Sequence, residues 1–153
     1  MADDNELQSL LKSIRQIARA VDIHSRRLDR AFGLTLPQLI VLRSIRDLGE
    51  VTSRAISIAS DLSAPTVVGI LDKLEDKRLI ERYRSSRDRR VVHTRLTPAG
   101  RALLKRAPSP LGDDFTRAFA GLNDRDRRTV LKSVDRVALM LAPLALEPES
   151  VDS

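Results

Sequence analysis

Residues 63–97, SAPTVVGILDKLEDKRLIERYRSSRDRRVVHTRLT, constrain the fold of this chain more than any other stretch. Ser63 is a good N-cap, and Pro65 falls in the first helical turn, where no hydrogen bond is lost. At roughly 100° per residue, Val67, Ile70, Leu71 and Leu74 share one face and predict its burial. The period then changes to two. Ile80 and Arg82 lie on one side of an alternating strand, with Glu81 and Tyr83 on the other. SSRDRR makes a polar turn, and the β-rich run Val91 to Leu96 returns. The pattern is a helix followed directly by a hairpin with a basic tip.

The helix turns a small face outward: Ala64, Pro65, Thr66, Val68 and Gly69, with Lys73 on the flank. Such a face can sink into a DNA major groove, where apolar atoms meet thymine methyls and Thr66 reaches a base edge or a phosphate. Gly69 costs about 1 kcal/mol against Ala in a helix interior. Either it is a tolerated weak point, or something approaches its backbone closely. From Arg78 to Arg90 there are six arginines and two acids. Charge runs are usually solvated faces. Arginine at a hairpin tip, however, can enter a narrow minor groove or clamp a phosphate. Arg84, Arg87, Arg89 and Arg90 are therefore candidate DNA contacts, with Asp88 expected to pair with a neighbouring arginine and orient it.

Upstream, Leu7, Leu10, Leu11, Ile14, Ile17, Val21, His24, Leu28 and Phe32 keep three-and-four spacing, which predicts one helix over residues 4–31 ended by Gly33. It exceeds the need of one small domain, so part of it is expected to pack on a partner chain, the alternative being a helix lying across its own domain. Thr35-Leu36-Pro37-Gln38 is a capping box opening a second helix, with Leu36, Leu39, Ile40, Ile45 and Leu48 as its expected buried stripe. Val51-Thr52 can form a short strand. Ser53 is then expected to cap a helix over 54–60, with Ile56 and Ala59 inward. Ser53 and Arg54 there are candidate DNA-backbone contacts. Two short helices so close together make a helix-turn-helix candidate. Thr97-Pro98 starts a further helix, broken at Ala107-Pro108-Ser109-Pro110. Helical pattern resumes at Phe115, and Asn123 can cap a last helix with Val130, Leu131, Val134, Val137 and Leu141 as its stripe.

Composition narrows the function. The net charge of +6 favours a polyanionic partner, and 31% of residues are charged, so nucleic acid or an anionic surface fits. The absence of cysteine excludes disulfides and thiolate metal sites. The polar, acidic start MADDNELQS does not have the pattern of a signal peptide, so none is expected there, and no apolar run approaches the roughly 18 residues of a membrane span. A soluble cytoplasmic protein with no membrane partner is expected. Two histidines without cysteine make a metal site unexpected, and no cofactor motif, nucleotide loop or Ser-His-Asp arrangement appears, so an enzyme is not expected.

The combined motif resembles the MarR family of bacterial transcriptional regulators. It runs through Ser63-Ala64-Pro65-Thr66-Val67, Leu71-Asp72-Lys73-Leu74-Glu75, Leu79-Ile80-Glu81-Arg82, Asp88-Arg89-Arg90 and Leu96-Thr97-Pro98-Ala99-Gly100. The resemblance implies a mainly α fold with a small β-hairpin wing: a winged helix-turn-helix carried between long dimerisation helices. Residues 1–34 and 98–145 would then build a homodimer, 35–97 would bind double-stranded DNA, and 146–153 would be a flexible tail. Two recognition helices would meet a palindrome in adjacent major grooves, with Asp88 and Arg90 as the wing pair and Arg90 at the minor groove. A repressor is the expected sign. Two departures stand out. Val68 and Gly69 occupy positions where many members carry a polar residue and an arginine, which shifts readout towards shape and methyl contacts. Arg78 stands where many have glycine. A narrower likeness, carried by Ala20 to Arg26, Gly33-Leu34-Thr35 and Ala107 to Pro110, is to regulators of ectoine (osmoprotectant) synthesis within the family. Members often bind a small effector between the dimer helices and the DNA-binding lobe. His24, on the apolar stripe of the first helix, is the candidate effector contact, although a lone histidine there also fits a satisfied core group. A winged helix used only to bind other proteins is the competing function.

Overall fold

The computed structural model describes residues 3–145. Two compact units make up the chain, Met1–Gly112 and Asp113–Ser153. The expected tail 146–153 lies outside the described residues.

The first unit begins with α1 (Asp4–Phe32), which opens on a capping box at Asp3 and ends in a left-handed Gly33. The Thr35 capping box starts α2 (Leu36–Leu48) as expected. β1 (Val51–Thr52), α3 (Ser53–Ser60), α4 (Ala64–Asp76), β2 (Ile80–Arg84), β3 (Val92–Leu96) and α5 (Pro98–Arg106) follow. The fold is a winged helix-turn-helix, mostly helical, with a three-stranded antiparallel sheet in the order β1-β3-β2. The α3 and α4 axes turn by 110° across Asp61 to Ser63, the angle of a helix-turn-helix.

Helix α2 sits at the centre and packs against α3, α4, α5 and β3. This placement revises its expected stripe. Leu39, Val41, Leu42 and Ile45 are buried, Leu36 and Ile40 are half-buried, and Leu48 is exposed. A helix surrounded on several sides buries a wide arc rather than a stripe. In α3, Ile56 is buried as expected, but Ala59 is exposed and Ala55 takes the inner place. The α3 cap is also one residue earlier than expected. Thr52 leaves the sheet and its Oγ1 accepts the Ala55 N–H at 3.3 Å, which makes Ser53 the first helical residue. The α4 face of Val67, Ile70, Leu71 and Leu74 is buried as read from its period.

Of the α1 stripe, Leu28 alone is fully buried; Leu7, Leu10, Leu11 and Ile17 are exposed. The second unit holds α6 (Asp113–Ala120) and α7 (Asp124–Leu141), capped by Asn123 and followed by a short 3-10 turn (Ala142–Ala145). Neither helix buries a residue, and Phe115, Leu131, Val134, Leu139 and Met140 are exposed.

Candidate nucleic-acid interface

The N-terminus of α4 is held by its own cap. Ser63 Oγ accepts the Thr66 N–H at 3.3 Å and lies 2.7 Å from Thr66 Oγ1, so the two hydroxyls share a hydrogen bond. Ala64, Pro65, Thr66, Val68, Gly69 and Lys73 are all exposed. Asp72 and Glu75, one turn apart on α4, are both taken up by Arg82 of β2. The guanidinium donates to Asp72 Oδ1 at 2.6 Å and to Glu75 Oε1 at 3.0 Å, and the Arg82 backbone N–H donates to Glu75 Oε2 at 3.1 Å. Arg82 holds the Glu75 carboxyl below the usual carboxylate range, because its hydrogen bonds favour the charged form.

Sheet register explains why this arginine turns away from the rest of the basic run. Arg82 pairs with Thr94, which is buried, two residues along from the inward pair Ile80 and Leu96. Strand alternation therefore faces it towards α4. Alternation and the i, i+3 carboxylates were both visible in the sequence. Together they would have marked Arg82 as a structural tie, which counting arginines does not.

Two further contacts fix the exit of α4. Arg78 adopts the left-handed region at φ 58°. Its N–H donates to Glu75 O at 2.8 Å, and Leu79 N–H donates to Leu74 O at 3.0 Å, which is a Schellman ending with arginine where glycine is usual. Lys77 Nζ then donates to Gly33 O and to Gln38 Oε1, joining the end of α4 to the end of α1 and to the α2 capping box. The Thr97-Pro98-Ala99-Gly100 motif closes the base of the wing. Thr97 Oγ1 donates to Arg78 O at 2.8 Å, and a Cβ on Gly100 would lie 2.1 Å from Leu79 O.

The wing loop, residues 85–91, is a self-bonded turn. Ser85 N–H donates to Val91 O, Val91 N–H to Asp88 O, and Ser85 Oγ accepts the Arg87 N–H. Asp88 Oδ1 accepts both the backbone N–H (3.1 Å) and Nε (3.2 Å) of Arg90, and this pairing lowers the Asp88 pKa. The Arg90 side chain nevertheless remains 92% exposed. Arg84 Nη1 donates to Arg89 O at 2.8 Å. Arg87 and Arg89 are exposed and have no side-chain partner among the described residues, and the same holds for Arg54 on α3. On the outer face of the sheet, Tyr83 donates to Glu50 and stacks on His93, with ring centroids 5.7 Å apart. Arg95 lies over the Tyr83 ring and donates to Glu81 at 2.7 Å. This outer cluster ties the ends of all three strands together and escaped the sequence reading.

The MarR family profile matches residues 34–92, which span α2 to the start of β3. A helix-turn-helix regulator of Bacillus subtilis, YsmB, is 26% identical over 123 residues, covering 80% of this chain and 84% of the relative. The repressor Rv2887 of Mycobacterium tuberculosis is 28% identical over 105 residues, covering 69% and 76%. Among solved structures, Bordetella bronchiseptica BpsR superimposes with a TM-score of 0.64 at 28% identity, covering 87% of this chain and 98% of its own. Over residues 34–92 the chain is similar to the MarR family.

The relatives that the chain matches are named as helix-turn-helix transcriptional regulators. No group of three or more His, Asp or Glu side chains among the described residues could hold a metal ion, and no single described helix is long and apolar enough to cross a membrane. His24, the candidate effector contact, is half-buried on α1, with its Nε2 3.2 Å from Ser109 O. Since a carbonyl can only accept, Nε2 carries the proton. The ring also lies 3.7 Å from where a Gly112 Cβ would stand, so His24 ties α1 to the proline break after α5.

Proposed function

We propose that this protein is a MarR-type repressor that binds a palindromic operator as a homodimer. In this reading α4 of each protomer enters a major groove and the wing arginines reach the adjacent backbone and minor groove. One observation carries it: a small, exposed helix face stands beside a turn-stabilised loop whose Arg87, Arg89 and Arg90 remain open to solvent. Arginine in that position suits phosphate and minor-groove contact. Ser53 and Arg54 at the α3 start supply further backbone contacts. Support for the dimer is the exposed apolar stripe of α1 and the exposed Val134, Leu139 and Met140 of α7, since apolar surface of this extent marks an interaction face. The mycobacterial relative is a repressor, which supports the sign of regulation.

DNA binding by BpsR is regulated by 6-hydroxynicotinic acid, and a small effector is proposed here too, with His24 as its contact. A ligand acceptor that replaced Ser109 O would free the proline break from α1. The likeness of Ala20 to Arg26 to ectoine-synthesis regulators makes osmoprotectant genes the first targets to examine.

Selection of genomic fragments on the purified protein tests the reading. Expected is an enriched inverted repeat whose half-sites lie roughly one helical turn, about 10 bp, apart, bound by a species of dimeric mass. Equal recovery of all fragments would instead support a protein-interaction module. Enrichment away from osmoprotectant genes would remove the pathway assignment alone.

A further inference from the structure

We propose that α4 reads its half-site chiefly through thymine 5-methyl groups, with Val68 as the reader and Gly69 setting how closely the helix approaches. The inference rests on the operator-binding reading above and specifies what that operator must contain.

Most polar groups on this face already have partners, and Lys73 on its flank is the long cation left open. Ser63 and Thr66 share their hydroxyl hydrogen bond, and Asp72 is bound to Arg82. Between Thr66 and Asp72 the exposed residues are Val68 and Gly69, and Val68 is 46% exposed. A valine side chain on the outer face has no hydrogen bond to offer. In the major groove the apolar feature of a base pair is the thymine C5-methyl.

Gly69 supplies an independent argument. Gly33, Gly49 and Gly112 have positive φ, and Gly100 lies against Leu79 O, so each has a reason within the chain. Gly69 has neither. Its φ is ordinary, and a Cβ built there would meet no atom within 4 Å beyond its neighbours and its own helical backbone. Glycine weakens a helix interior relative to alanine, and here the fold gains nothing in exchange. The space left by the missing methyl lies outside the protein, beside Val68 and in line with the cap. A groove wall can enter that space, which brings the Val68 methyls within contact of a base edge.

The test uses the operator recovered by genomic selection and the full-length protein. Replacing thymine by uracil removes the 5-methyl and leaves the hydrogen-bonding edge intact. Uracil at one thymine position in each half-site should weaken binding about tenfold, the cost of a mismatched contact, while uracil outside the half-sites should not. Gly69→Ala should raise the thermal midpoint and lower the ratio of operator to random-DNA affinity by about tenfold. Uniform tolerance of uracil would overturn the methyl readout. A Gly69→Ala protein with an unchanged affinity ratio would overturn the close approach. Failure to recover any preferred DNA would remove the operator-binding reading itself, and this inference with it.

Discussion

Helix α4 and the wing loop are neighbours in sequence and carry opposite surfaces. On α4 the carboxylates of Asp72 and Glu75 both bond to Arg82, which offsets one of their two negative charges from within. On the wing, backbone and Ser85 contacts shape the loop, and the guanidinium groups of Arg87 and Arg89 have no partner among the described residues. The difference shows that a count of arginines does not locate the charge left open to solvent. Six arginines lie between Arg78 and Arg90, but strand register turns Arg82 inwards and leaves the loop arginines outside.

The largest expected effect comes from undoing that offset. Arg82→Met keeps the aliphatic stem and removes the tie. Arg82 is 27% exposed, and its partners Asp72 and Glu75 are 57% and 40% exposed, so solvent screens the pair. A loss of about 1–2 kcal/mol in unfolding free energy is expected, between the values for surface and buried ion pairs. Operator affinity should fall by more than about tenfold, because an unpaired Asp72 would then face phosphates. Adding Asp72→Asn should restore much of the binding and little of the stability. Failure of that rescue would show that Asp72 does not face DNA. The pH dependence has a defined sign. Glu75 has a depressed pKa in the folded state, so its contribution is present above the unfolded value and lost as pH falls through the folded one. The stability gap between wild type and Arg82→Met should therefore narrow below about pH 4 in acid titrations followed by circular dichroism.

Arg90→Ala sharpens the other half of the comparison. The side chain is 92% exposed, so thermal stability should not change. Operator affinity should fall about tenfold, and the slope of log affinity against log salt should drop by about one, the signature of one lost phosphate or groove charge. An unchanged slope would remove Arg90 from the DNA contact. Asp88→Asn, which can still accept the Arg90 N–H, should have a smaller effect of the same kind.

The sequence revealed much of this architecture because helix and strand periods are strong in α4, β2 and β3, and because Thr35, Ser63, Thr97 and Asn123 are unambiguous caps. It failed where three-dimensional surroundings override a stripe. Leu48 continues the α2 period but runs past the packing elements into solvent, while Val41 lies off the stripe and is buried because α2 is enclosed on several sides. Thr52 took the cap expected of Ser53 because a strand end and a helix start overlap in a single residue. The Lys77 bonds to Gly33 and Gln38 span 44 and 39 residues, a range that no local pattern encodes. Partner choice within the basic run was legible only from strand alternation taken together with the i, i+3 carboxylates of α4, not from the count of arginines.

Arg78 lies between the two regions and decides where the grip begins. Its φ of 58° disfavours a side chain, yet the Schellman bonds from Arg78 and Leu79 hold it there. Arg78→Gly removes that strain, partly offset by a more flexible unfolded chain, and should raise stability by about 0.5–1 kcal/mol in chemical denaturation. The same substitution deletes one arginine charge, so it also tests position. Arg78 sits at the C-terminal end of α4, opposite the capped N-terminus at Ser63, and it precedes the strand that leads to the wing tip. If contact is confined to the α4 N-terminus and the loop 85–91, Arg78→Gly should leave the salt slope at its wild-type value, in contrast to Arg90→Ala. A slope reduced by about one would extend the phosphate contact to the helix exit. The left-handed arginine would then be a residue held in strain for binding, and the division between the helix and a charged wing would move to the C-terminal end of α4.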